Sequence, residues 1–356
     1  MNFFNIDLHI SIIADMKKIF TDIGHTVYDK SLSEHTWVFN RKKDSIPMLD
    51  NSRWMHLTPE QFSNEFYDLY KDQIENKVDA FIVTYPPIFS LLYKHFNKPI
   101  IINNPIRYEW PFSFRKNDWE YFNNFLREGV DNKKIFLVAN NIHDKKYMED
   151  FIEREVEHIP SICDYYGSLY EQTGNTFIYY SRNKISEITN PNIKYKDDLF
   201  KSHTHNDLVK HRGIIHIPYQ ISYMSIFEQY TSNIPLFFPT KKFLMELYIE
   251  NKYSVLKEVS WNNYCGETSK SFIEYKGNHD PNDYNNNESV MEWLKYADFY
   301  DEEWMPYITY FSSFEELNSI VNTVDVNKIS NNMKNFNETR KSLIYKKWDI
   351  LINKIK

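Results

Sequence analysis

The sequence predicts an α/β protein of two successive domains, each built on a mostly parallel sheet. Three observations predict it. Strand-like and helix-like segments alternate from the N-terminus onward, which is the pattern of βαβ units. That alternation lapses once, at the Pro- and Gly-containing stretch VEHIPSICDYYGSLYEQTG, and then resumes. A chain of 356 residues also exceeds what one ordinary core accommodates.

The first series opens with the strand NFFNIDLH, the amphipathic helix ISIIADMKKIFTDIG ending at Gly24, and the strand HTVYDKSL. Thr58 is placed to cap the helix TPEQFSNEFYDLYKDQIEN. DAFIVTYPP follows as a short buried strand halted by its prolines, IFSLLYKHF as a helix, and KPIIINNP and KIFLVANN as strands. Past the linker come the strand NTFIYYSR, a charged segment, the strand GIIHIP, the helix ISYMSIFEQYTS, the strand IPLFFP and the helix KKFLMELYIE. The stretch from Trp261 to Glu288, dense in Asn, Asp and Tyr, is expected to be a long irregular insertion. DEE at Asp301 to Glu303 is expected to start a helix, and the chain ends helically through FSSFEELNSIV and NETRKSLIYKKWDILINKIK.

Composition removes several function classes. A net charge of -7, with acidic and basic residues interspersed, argues against a nucleic-acid partner, so any anion must be held by a local site. Seven glycines stand where average usage would supply roughly 25, and neither GxGxxG nor GxxxxGK[ST] occurs. P-loop kinases and ordinary dinucleotide-binding dehydrogenases are thereby disfavoured. Cys163 and Cys265 lie far apart and form no CxxC pair, which fits free thiols in a reducing compartment. No apolar run approaches a membrane span, and a soluble cytoplasmic protein is expected.

In an open parallel sheet, ligands bind beyond the carboxyl ends of the strands, where helix N-termini aim N–H groups at anions. After GIIHIP come Tyr219, Gln220, Ile221 and Ser222, then the helix carrying Ser225 and Glu228. Ser222 is expected to be the N-cap, leaving first-turn N–H groups for phosphate oxygens. Glu228, beside Ile226 and Phe227, either faces solvent, caps a neighbouring element, or binds both vicinal hydroxyls of a sugar. His203, His205, His211 and His216 invite a metal reading, but no thiolate or carboxylate completes a tetrahedral set, and no metal is expected.

Strand, polar turn, helix with one internal carboxylate and Pro-led apolar strand resemble the donor-site motif of GT-B glycosyltransferases. The resemblance implies that Glu228 holds a nucleotide ribose. Eight positions earlier, where many of that family carry an acidic residue on the donor sugar, this chain has Gln220, whose amide can still hydrogen-bond sugar hydroxyls. FIYYSRNK resembles the family's strand ending in a basic pair, which would set Arg182 and Lys184 on the donor diphosphate. VEHIPSICD resembles the interdomain entry, and the closing segments resemble the family's C-terminal return.

That family implies two Rossmann-like α/β/α domains facing each other across a cleft. Residues 1–160 would bind the acceptor, residues 161–326 the donor, and residues 327–356 would return toward the first domain. NIDLHIS sets Asp7, His9 and Ser11 at the end of the first strand, where inverting members often carry their general base. His9 is expected either as that base, with Asp7 orienting its ring, or as a structural histidine. Asp7 is the alternative base or a cap for the next helix, and Glu109 stands in reserve. His35 and Trp37 in SLSEHTWVF, and Arg107 and Glu109 in NPIRYEWPF, are expected acceptor contacts. The implied reaction moves a sugar from a nucleotide-diphosphate sugar, a UDP-sugar by expectation, to a glycan hydroxyl, with inversion and with neither a metal nor another cofactor. A sugar-nucleotide epimerase and a non-catalytic glycan-binding protein are the alternatives.

Overall fold

The computed structural model describes residues 1–112, 115–257 and 273–356. It divides into two compact units: the first holds Met1–Ser161, residues 273–276 and Ile344–Lys356, and the second holds residues 162–257 and 277–343. Cys265 and residues 261–272 of the expected insertion lie outside the described residues. The described remainder of the insertion is irregular until a helix begins at Asn287.

In the first unit β1 (Asn2–Asp7), α1 (Ile10–Asp22), β2 (Thr26–Ser31), α2 (Pro59–Ile74), β3 (Ala80–Val83), β4 (Ile100–Asn104), α3 (Lys116–Asp131), β5 (Ile135–Ala139), α4 (Ile142–Ile152) and β6 (Glu157–His158) follow one another. The strands form one sheet in the order β2-β1-β3-β4-β5-β6, and every pairing is parallel. β3 and β4 are buried at every position, which explains their unbroken apolar runs: a parallel sheet with helices over it leaves no wet face to pattern against. Thr58 caps α2 as expected, and Gln61 completes a capping box with it.

The second unit contains β7 (Phe177–Tyr180), β8 (Ile193–Tyr195), the one-turn helices α5 (Lys196–Leu199) and α6 (His205–Leu208), β9 (Gly213–His216), α7 (Met224–Thr231), β10 (Leu236–Pro239), α8 (Lys241–Ile249) and β11 (Thr309–Phe311). Its sheet runs β11-β10-β9-β7-β8, again wholly parallel. Read from its second strand, this is the order of the first unit's first five strands, so both units are Rossmann-like α/β sheets with the same switch in winding direction. The switch falls between β1 and β3 in one unit and between β7 and β9 in the other.

The final helix, Val326–Ile355, contributes its early turns to the second unit and its last turns to the first. Arg340, almost wholly buried, lies over the Tyr230 ring and donates to Thr231 at 3.2 Å. Further along, Trp348 packs edge-on against Phe20 of α1, and Tyr345 donates to Asp22 at 2.5 Å.

Three expectations change. IFSLLYKHF is a 3-10 segment, Pro87–Tyr93, not an α-helix; all seven residues are buried, so no polar face imposes the 3.6-residue stripe. Asp301 to Glu303 start no helix; the Asp301 carboxylate instead accepts the Glu303 and Trp304 N–H groups and closes a turn. ISYMSIFEQYTS becomes helical only from Met224.

Gly213 marks a tight approach in the second sheet. A Cβ there would lie 2.8 Å from the Pro235 carbonyl oxygen and 2.9 Å from the Phe237 ring. Backbone cannot swing aside as a flexible side chain can, so Gly213→Ala should cost about 1–3 kcal/mol, read as a lowered midpoint in denaturant unfolding. An unchanged midpoint would contradict that packing.

Candidate functional site

In the second unit the polar side chains gather at the carboxyl ends of β7 and β9. Arg182, just past β7, stacks its guanidinium on the Tyr219 ring at 4.0 Å, and Tyr219 stacks on Tyr223 at 5.2 Å. The crevice at the switch is thus bordered by a cation and two phenols. Behind it His216 ends β9, wholly buried, between the rings of Tyr180 and Phe238. Its Nε2 faces the Gln229 Oε1 at 2.7 Å, an acceptor only, so Nε2 carries the proton and Nδ1 accepts from the Tyr223 hydroxyl at 3.0 Å. Burial pushes this imidazole down to about 4, which keeps it neutral and holds that tautomer.

The buried histidine therefore pins the start of α7, because Tyr223 is the N-cap residue. Ser222 does not cap the helix: it sits one residue outside, and Tyr223 supplies no side-chain cap. A helix N-terminus whose N-cap side chain makes no capping bond can seat an anion. Ser225 lies in that turn and Glu228 just over one turn in, half-buried, where its carboxylate accepts from the Tyr165 hydroxyl. Gln220 is half-buried in the same β9–α7 connection. Lys184 departs from expectation: its ammonium pairs with Asp198 at 2.5 Å and is well exposed, so it offers a bound anion little.

The other histidines are held apart by separate partners. His203 meets the Tyr180 hydroxyl at 3.1 Å, His205 the Ser232 hydroxyl at 2.7 Å, and His211 the Thr176 hydroxyl at 2.8 Å. Among the described residues no three His, Cys, Asp or Glu side chains converge as a metal-binding group.

In the first unit Asp7 ends β1 in complete burial at the β1–β3 switch. Its carboxyl accepts the Thr84 hydroxyl, the Tyr85 N–H at 3.3 Å and the backbone N–H of His9. It therefore anchors the backbone at the start of α1 and does not hold the His9 ring, whose Nδ1 is buried without a hydrogen-bond partner among the described residues. Burial pushes the Asp7 carboxyl up to about 8, against those three donors, and pushes His9 down to about 4. At neutral pH the pair is then an acid and a neutral imidazole, not a carboxylate steadying an imidazolium.

Around His9 the surface is aromatic. Tyr85 meets its ring edge-on at 6.1 Å and stacks on Trp110 at 5.7 Å. His35, whose charge would oppose protonation of His9, and Trp37 are exposed beyond the carboxyl end of β2; Trp37 is 66% exposed.

Arg107 and Glu109 do not join that surface. Both are buried beside α4, where Arg107 contacts His143 Nδ1 at 2.8 Å and Asp144 at 3.3 Å, and lies over the Tyr147 ring. Tyr147 donates to Glu109 Oε1 at 2.6 Å, while Oε2 has no partner among the described residues. Burial pushes Glu109 up to about 7. In Asp144 burial acts the same way, but His143, Arg107 and the Asn141 amide hold the carboxylate below its ordinary value. His143 and Asp144 follow the strand KIFLVANN and were open to the rule that flagged other strand ends; Tyr165, inside the aperiodic linker, left no signal.

No protein-family model matches the chain, and no curated protein matches it. Solved structures do resemble it, among them several glycosyltransferases. The glycosyltransferase of kitacinnamycin is 8% identical with a TM-score of 0.48, covering 100% of this chain and 98% of its own. The glycosyltransferase SnogD from Streptomyces nogalater is 8% identical with a TM-score of 0.45, covering 96% and 98%. The spinosyn rhamnosyltransferase SpnG, in a structure complexed with thymidine diphosphate, is 9% identical with a TM-score of 0.42, covering 94% and 95%. The fold assignment stands on the strand orders described above.

Glu109 makes a pH-dependent contribution to stability whose sign is fixed. With its carboxyl raised to about 7 from an ordinary 4.5, the folded chain keeps a proton that the unfolded chain releases between those values. Stability from this group is complete below pH 4.5 and falls as pH rises toward 7. Glu109→Gln, which cannot ionise, should gain a few degrees of melting temperature over the unmodified protein at pH 8 relative to pH 4. An offset equal at both pH values would contradict the raised pKa.

Proposed function

We propose that the chain is a GT-B glycosyltransferase, transferring a sugar from a nucleotide-diphosphate sugar, a UDP-sugar in our reading, to a hydroxyl of a glycan. The observation that carries it is the group at the β7–β9 switch: Arg182 over Tyr219, the start of α7 pinned by His216, and Glu228 one turn along. In this reading the donor diphosphate lies against Arg182 and the first-turn N–H groups near Ser222 and Ser225. Glu228 accepts the ribose hydroxyls, and Gln220 binds the donor sugar. Departing negative charge is met by a guanidinium and helix N–H groups, a role a metal fills in other transferases.

His9 takes the acceptor proton. Its imidazole is neutral at physiological pH and stands next to the aromatic surface of Tyr85 and Trp110, on which the apolar face of a sugar can stack. Proton removal as the acceptor oxygen attacks from the side opposite the leaving group gives inversion. His35 and Trp37 are the acceptor contacts that solvent reaches; Arg107 and Glu109 act behind the surface by fixing α4.

Three measurements test this. His9→Ala should lower turnover by about 10²–10⁴-fold with nucleotide affinity nearly unchanged, and unchanged turnover would overturn the base assignment. Glu228→Ala and Arg182→Ala should each weaken UDP binding by about tenfold or more; tight binding in both would overturn the donor site. The acid limb of kcat/KM against pH should lie near 4 to 5, because His9 sits at about 4. A limb near 7 that disappears in Glu109→Gln would move the base to Glu109.

A further inference from the structure

The first unit contains a cavity of about 590 Å³ that the proposed reaction does not use. It lies on a face of the sheet, not at the carboxyl edge, between α2 and the segment around residues 45–47. Alternate residues of two neighbouring strands make its floor. Phe4 and Ile6 of β1 are in register with Tyr28 and Lys30 of β2, so all four project to the same side. From above, Phe66 and Ile74 of α2 complete an apolar lining.

Two features decide what fits. The volume is within the range of small-molecule sites, and a lining mostly of carbon gives water few of the partners it needs, so an apolar occupant is favoured. Lys30 and Lys77 stand at the exposed edge of this lining. Lys30 reaches Asp44 only at 4.0 Å, and Lys77 has no ion-pair partner among the described residues. An apolar chamber with two cations at its edge complements a ligand with an apolar body and one anionic end.

We infer that this cavity is a second binding site, for an amphiphilic carboxylate with an acyl chain on the order of ten carbons. The chain lies along Phe4, Tyr28, Pro47 and Tyr70, over the buried Ile6, Phe66 and Ile74, and the carboxylate meets Lys77 and Lys30 at the mouth.

Calorimetric titration of the full chain with decanoate, alongside the uncharged decanol, tests it. Decanoate should bind saturably at one site. Lys77→Glu, an exposed change that leaves the core alone, should weaken decanoate about tenfold or more while altering decanol less than twofold. Gln73→Trp, which sets a bulky ring on the exposed rim lined by α2, should weaken both ligands. Absence of saturable decanoate binding, an equal effect of Lys77→Glu on the two ligands, or undiminished binding in Gln73→Trp would each overturn the inference.

Discussion

Parallel strand pairing is the constraint from which the rest follows. When every pair in a sheet runs the same way, all the carboxyl ends emerge along one edge, and the helices that follow them begin there. The interior strands β3, β4, β9 and β10 are buried at every position, and the polar side chains of β4 and β9 fall at that edge. The reversal of winding then opens one crevice per sheet, between β1 and β3 and between β7 and β9. Asp7, His9, Thr84 and Tyr85 occupy the first; Arg182, His216 and Tyr219 border the second.

Burial at those edges changes what each group can do. His9 and His216 are both driven to about 4 by desolvation, yet their neighbours give them different work. His216 has both nitrogens engaged and serves as a structural pin for α7, whereas His9 has one nitrogen buried without a partner among the described residues and sits at the surface of the unit. Asp7, the residue expected to assist His9, is bound instead to three donors around the β1–α1 junction. Desolvation raises its carboxyl, so the neutral form prevails at the pH where an orienting carboxylate would be needed.

Much of this organisation was legible in the chain because it depends on local pattern. Apolar runs such as DAFIVTYPP and KPIIINNP, stopped by Pro or Asn, marked buried parallel strands, and the order of such runs marked two units. Thr58 announced a helix start that the fold uses. What escaped depends on distant partners. Nothing near Lys184 announced Asp198 fourteen residues on, and nothing in NPIRYEWPF said that Arg107 would turn inward to His143 and Asp144. The N-cap position falls on Tyr223 and not Ser222, and His216 at the end of β9 holds that tyrosine. Three-residue strands such as β8 and β11 carry too little periodicity to see.

A crystal structure of the chain with bound UDP tests the β7–β9 switch as the proposed nucleotide seat. The diphosphate should lie against Arg182 and the first turn of α7, with both ribose hydroxyls on Glu228. A nucleotide bound elsewhere in the second unit, with Glu228 making no contact to it, would overturn that seat.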